Sequence, residues 1–296
     1  MSKIAYVTDL HLTHGSPRIA GLVNATARLK DFGVRHLFMG GDLIGLTGSL
    51  QINEAGERVW DVLKTRHVTP GEYKVMFDYT RGLVDEVIPQ VIEADPELAR
   101  VAISGNADYI GYRYMAAAFA PYFTFMDDLH DNFRITSTDR DMTVRGMVGI
   151  PLGEGDESLI KTNNPWYGGI NPSKGFYIPG SHILLTHMPA HGHMDIYKEM
   201  NQGAFGIRDL VFWQSPYLHL TGHVHNAPDA AGRIFDVWQG RFHDIVSVNP
   251  GGADLHDPSI KIAVIDIDLA VELLSGRPPA YLADKMAQAI QLMTSE

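Results

Sequence analysis

Short apolar runs, each closed by a glycine or a polar cluster, punctuate this chain. Ile4-Ala5-Tyr6-Val7, Leu37-Phe38-Met39, Val101-Ala102-Ile103, Ile183-Leu184-Leu185 and Leu218-His219-Leu220 are too short for helices. Such runs predict buried strands. Between the first two, Ser16-Pro17 has the cap and first-turn chemistry that opens a helix, with Ile19, Leu22, Val23, Leu29 and Phe32 on one face and Gly33 as its stop. A β-α-β unit in the first forty residues predicts a parallel sheet. Thr69-Pro70-Gly71-Glu72 has capping-box spacing. The helix it starts carries Val75, Met76, Tyr79, Leu83, Val84, Val87 and Ile88, and Pro89 is expected to kink or end it. A third helix is predicted over roughly Tyr109 to Phe119. Beyond residue 120 the pattern turns to strands, at Asn132–Ser137, Met142–Ile150, Tyr217–Leu220, Arg233–Val237, Ile245–Val248 and Ile260–Ile267. The combination predicts two sheets packed as a sandwich with outer helices.

Segments 44–69 and 151–181 are long, rich in Gly, Asn and Pro, and weakly periodic. They read as insertions of the kind that serve as lids or binding loops. The expected organisation is one domain over 1–275 carrying these insertions, then an amphipathic helix within 276–296. Its apolar face across 280–293 holds Leu282, Met286, Ile290 and Met293. That face suits packing on its own domain or against a second copy in a homodimer.

The candidate chemistry lies just after the strands. Asp9 and His11 follow the first run, Gly41-Asp42 the second, and Gly105-Asn106-Ala107-Asp108 the third. His187 ends the fourth, and Gly222-His223-Val224-His225 the fifth. The C-terminal edge of a parallel sheet is where open α/β folds place ligands. Any one of these residues alone has a structural explanation; the ordered set points to one shared metal site. Imidazole, carboxylate and carboxamide donors without thiolate suit manganese, iron, zinc or nickel better than calcium or magnesium.

Composition narrows the field. The 296 residues are 45% hydrophobic and 20% charged, enough to bury a sizeable core. With no cysteine, disulfides, thiolate metal sites and a cysteine nucleophile are all excluded. A net charge of −11 argues against broad capture of a nucleic-acid backbone. No signal peptide and no membrane-length apolar stretch is visible, so a soluble cytoplasmic protein without a membrane partner is expected.

The order D-x-H, G-D, G-N-x-[DE], H, G-H-x-H, spanning Asp9 to His225, resembles the calcineurin-like metallophosphoesterase superfamily. Ser247-Val248-Asn249-Pro250-Gly251-Gly252 is similar to the N-P-G-S turn of its small bacterial and archaeal phosphodiesterase branch, with Gly252 where serine is usual. The resemblance implies an α/β fold, a four-layer αββα sandwich of two mixed β-sheets flanked by helices. It implies that Asp9, His11 and His225 bind one divalent ion, that Asn106, His187 and His223 bind a second, and that Asp42 bridges them. It implies a phosphodiesterase working by hydroxide attack between two metals, manganese first among the candidates. Asp42 and Asn106 would serve as bridging and positioning residues. The alternatives are a phosphomonoesterase or protein phosphatase, or a metal-free scaffold of the same fold.

One position departs from the fuller family motif. Ala107 stands where other members carry a histidine thought to protonate the leaving group or orient the phosphate. General acid catalysis contributes roughly 10²–10⁴-fold, so its loss should weigh most on poor leaving groups. His14, His191, His193 and Asp108 are candidates to replace it. His191 and His193, in the loop after His187, and Trp166 and Tyr167, in the second insertion, are the candidate contacts for a small phosphodiester or nucleotide-like substrate. Tyr109, Tyr112, Tyr114 and Arg113 lie near the Asn106 loop and have bland readings as core or surface residues.

Overall fold

The computed structural model describes residues 3–45, 56–57, 69–105, 108, 119–126, 132–136, 141–147, 182–197, 200–225, 231–236, 241–252, 259–274 and 289–294. The apolar runs fold as read. β1 (Lys3–Val7), β2 (Val34–Gly40), β3 (Ala99–Ile103) and β4 (Thr124–Phe125) pair in parallel, and β13 (Lys261–Asp266) adds antiparallel to β1. With β14 (Ile290–Thr294) outside β13, the first sheet runs β14-β13-β1-β2-β3-β4. In the second sheet β6 (Asp141–Met147), β7 (Ile183–Thr186), β10 (Leu218–Leu220) and β12 (Arg241–Val248) are parallel. The flanking β5 (Asn132–Thr136) and β11 (Ala231–Asp236) are antiparallel, giving the order β11-β12-β10-β7-β6-β5. Both sheets are therefore mixed. Between β7 and β10, β8 (Ile196–Tyr197) and β9 (Met200–Asn201) pair as a separate two-stranded sheet.

Alternation along each strand sorts side chains between layers. Ile4 and Tyr6 of β1 face the second sheet, sharing one core with Phe38 and Ile103 of their own sheet and with Ile183, Leu185, Leu218, Leu220, Val246 and Val248 of the second. Ala5 and Val7 face the other way, onto α1 (Pro17–Leu29) and α2 (Pro70–Ala94). On the far side, Leu184 and Ile245 pack against Ile207, Leu210 and Val211 of α3 (Phe205–Gln214). Three apolar interfaces separate four layers, helix-sheet-sheet-helix, and strands buried on both faces read as unbroken apolar runs for that reason.

The helix signals hold. The Ser16 side chain accepts from the Arg18 amide, and Gly33 closes the one-turn 3₁₀ extension Lys30–Phe32 at φ 73°. Thr69 and Glu72 form the reciprocal capping box. Pro89 does not end α2, which continues to Ala94 because Ile88 and Val91 remain buried against the sheet on either side of it. Val75, placed on the apolar face from sequence, is exposed. The helix over Tyr109 to Phe119 and most of both insertions lie outside the described residues.

Three elements correct the sequence reading. Residues 290–294 form an edge strand, not the end of an amphipathic helix. Ile290 packs between the sheets and Met293 packs under α1 and α2, so their three-residue spacing serves opposite faces of a strand. Residues 275–288 of that predicted helix are outside the described set. The second half also holds α3, the crossover that lets β7 and β10 run parallel. Finally, α4 (Ile267–Leu274) follows β13, with the Asp266 carboxylate accepting from the Leu269 amide. Among the described residues, no helix is long and apolar enough to cross a membrane.

Candidate metal centre

Four of the six described non-glycine residues with positive φ are predicted ligands: Asp9 (55°), His11 (43°), Asp42 (49°) and His223 (66°). The left-handed region costs L-residues on the order of 1–2 kcal/mol each. The surrounding structure must impose it. Part of that constraint is a backbone zipper between the loops after β1 and β2. The Asp9 amide donates to Gly41 O (3.1 Å), His11 to Asp42 O (2.8 Å), Leu12 to Leu43 O (3.0 Å) and Gly45 back to Leu12 O (2.7 Å). Gly105 lets a third loop close on these two, since a Cβ there would lie 2.2 Å from the Asp42 amide nitrogen and Oδ1.

The zipper brings Asp9, His11, Asp42 and His225 together with one ligand atom from each, all within 4.8 Å of one another. His11 Nε2 and His225 Nε2 stand 3.1 Å apart, and His225 Nε2 is 3.4 Å from Asp9 Oδ1. Asp42 Oδ2 faces both ways, 3.6 Å from His11 Nε2 and 3.3 Å from His187 Nε2. His187 Nδ1 donates to Gly40 O at 2.8 Å, which turns Nε2 toward Asp42. The His223 ring meets the His187 ring edge-on at 5.5 Å, and its amide donates to both oxygens of Asp9 (3.1 and 3.0 Å).

This donor set fits divalent cations. Asp9 and Asp42 are each 1% exposed, and imidazoles converge on them. Two imidazole nitrogens that face each other can share at most one proton, whereas both lone pairs can point at one cation. The same crowding sets the proton affinities of these side chains. Burial opposes a charge on His187, but the Asp42 carboxylate overrides it and raises the pKa to about 10. Burial and the charge of His187 push His223 down to about 4. Burial would raise Asp9, yet its hydrogen bond to His225 and the charge of His187 bring it below the usual carboxylate value.

Two residues named from sequence for other reasons, Asn249 in the N-P-G-G turn and Asp108 as a candidate acid, brace the ligand loops. Asn249 of the N-P-G-G turn is fully buried; its Nδ2 donates to Gly222 O (3.3 Å) and Val224 O (3.2 Å), and its Oδ1 accepts from the Gly251 amide (2.9 Å). It thereby holds the turn that carries His223 and His225. Gly252 lets this turn rest on the ligands, because a Cβ there would lie 2.6 Å from the Asp9 Cβ and 3.1 Å from the His225 ring. Asp108 accepts from the Ile44 amide (3.0 Å) and the Gly105 amide (2.7 Å), tying the second and third ligand loops together. Burial and the nearby Asp42 raise its pKa to about 7. The signals were present, the first as an unexplained asparagine and the second as the last letter of G-N-x-D.

Asn106 and Ala107, Tyr109, Tyr112, Tyr114 and Arg113, and Trp166 and Tyr167, lie outside the described residues. His14 is held by Glu86 of α2 (2.6 Å) and by the Tyr79 carbonyl (3.3 Å). His191 stacks on Phe205 with ring centroids 3.8 Å apart, and His193 meets the edge of Phe212 at 6.4 Å.

No protein-family model matches the chain, and no curated protein matches it in sequence. Its likeness is to solved structures. One crystal structure superposes over 99% of this chain and 99% of its own, with TM-score 0.62 and 14% identity. A dimetal phosphatase from Danio rerio covers 89% of this chain and 94% of its own at 10% identity and TM-score 0.46. The purple acid phosphatase PPD1 from yellow lupin (Lupinus luteus) seeds covers 89% of this chain and 49% of its own, with 13% identity and TM-score 0.43. The full-length superposition at TM-score 0.62 shows a fold shared with that first structure, two mixed sheets packed face to face with helices outside.

Proposed function

We propose that this protein is a metal-dependent phosphoester hydrolase with a preference for phosphodiesters. Asp9, His11 and His225 would hold one divalent ion, His187, His223 and Asn106 a second, and Asp42 would be shared. The observation that carries the reading is the position of Asp42 Oδ2 between the Asp9–His11–His225 group and His187. Divalent ions, when bound, polarise a phosphoryl oxygen and make water nucleophilic near neutral pH. The protein's own part is orientation. The His223 amide fixes the Asp9 carboxylate, Gly40 fixes the His187 tautomer, and Asn249 fixes the turn bearing His223 and His225.

The preference for diesters rests on Ala107, whose methyl group cannot protonate a leaving group. Manganese as the metal and the cytoplasm as the compartment belong to the same reading. A donor set free of thiolate supports the first, and a chain free of cysteine accords with the second.

Manganese-loaded protein should hydrolyse bis(p-nitrophenyl) phosphate faster than p-nitrophenyl phosphate. Asp42→Asn should lose about 10²-fold or more, as expected when several kcal/mol of charge stabilisation goes. Ala107→His should speed alkyl esters more than nitrophenyl esters, within the roughly 10²–10⁴-fold range of general acids. Equal effects on both ester types would remove the argument from Ala107, and a faster monoester would reverse the stated preference.

A further inference from the structure

Arg18 stands at the wrong end of its helix. It occupies the second position of α1, where the positive end of the helix dipole disfavours a cation, and no acidic residue lies in that first turn. It is also 4% exposed, a costly place for a guanidinium. A residue that breaks two local rules at once is retained for what it touches. Its Nη1 donates to Leu10 O at 3.0 Å.

Leu10 is the residue between Asp9 and His11. It is 3% exposed, so an unbonded carbonyl there would have little access to water. Both neighbours are held left-handed, at φ 55° and 43°. Their amides are taken by Gly41 O and Asp42 O, which fixes the turn from the β2 side. The Arg18 bond fixes it from the α1 side. Ser16 in turn seats the Arg18 backbone through the Arg18 amide (3.3 Å).

We propose that Arg18 is a positioning residue for the first metal site, setting the Asp9-Leu10-His11 turn so that both side chains reach one cation. The inference rests on the metal-site reading above. Arginine suits the role because it stays charged at any working pH and offers a rigid planar donor.

The test is titration of chelator-stripped protein with cobalt(II), following the visible absorption bands that report coordination, alongside thermal unfolding without metal. R18M should weaken the tighter cobalt site by about 10–100-fold, as loss of partners outside the ligand shell typically does, and change its band intensities. R18K keeps the charge and one donor, and should fall between R18M and wild type. In steady-state assays the loss should appear in kcat with little change in KM. Wild-type affinity and spectrum in R18M, with only a lower Tm, would overturn the proposal. If R18M does not fold, R18K decides: weakened cobalt binding at unchanged Tm supports it, and unchanged binding overturns it. Wild-type protein that binds cobalt but cleaves no phosphoester would remove the phosphoesterase reading and leave this one standing. Wild-type protein that binds no cobalt would remove both.

Discussion

Asp9, His11, Asp42 and His223 occupy left-handed backbone conformations, so residues that touch no metal should govern the site as strongly as those that do. Asn249 shows this most clearly. Replacing it with alanine removes two donated bonds and one accepted bond inside the protein. Asn249→Ala should destabilise the fold by about 1–3 kcal/mol through the carbonyls left unpaired, measurable by urea unfolding. It should also weaken manganese binding by roughly 10–100-fold in calorimetry. At this scale the sequence showed which residue types would gather, because Asp9, Asp42, His187, His223 and His225 each lie in the loop that follows a parallel strand. It did not show their braces. Whether Asn249, Asp108 or Arg18 reaches a particular carbonyl or amide depends on loops from distant parts of the chain meeting, and no local pattern records that.

Elements were legible where one local rule acted alone. The Thr69–Glu72 box marks the start of α2, and Thr69→Ala should cost about 1 kcal/mol in denaturant unfolding, within the usual range for a lost cap. An unchanged midpoint would mean that burial of Met76, Leu83 and Val87 holds the helix start without its cap. Elements were misread where two rules competed. Ile290 and Met293 share a helix face by spacing, yet a free edge on β13 recruits them as a strand with one residue in each core. Pro89 ought to stop a helix, but the buried residues around it continue the turn. In α3 the core positions are Ile207, Leu210 and Val211, and Phe205, Phe212 and Trp213 beside them blur the helical period in a short segment.

The whole molecule should carry a pH signature apart from its metal centre. His219 lies within the second sheet, its Nε2 2.8 Å from Thr186 Oγ1 and its Nδ1 3.3 Å from Ser247 Oγ. Burial, helped by the charge of His193, holds its pKa down at about 3. Its unfolded value is near 6.5. Between those limits the unfolded chain binds the extra proton, so the contribution of His219 to stability is present above about 6.5 and is lost as the pH falls toward 3. His219→Gln should flatten the fall in urea midpoint between pH 7 and pH 4; an unchanged slope would place the acid sensitivity elsewhere. The four-layer architecture was readable from the alternation of apolar runs and helical faces, and its C-terminal strand edge was readable as the place for a site. Substrate specificity was not, because no local pattern in the chain encodes it. If the gathered histidines and aspartates make a phosphoester hydrolase that works only with metal, chelator-stripped protein should turn over negligible bis(p-nitrophenyl) phosphate and regain full activity near two equivalents of added manganese per chain. Turnover independent of manganese, or none at saturation, would show that they do not.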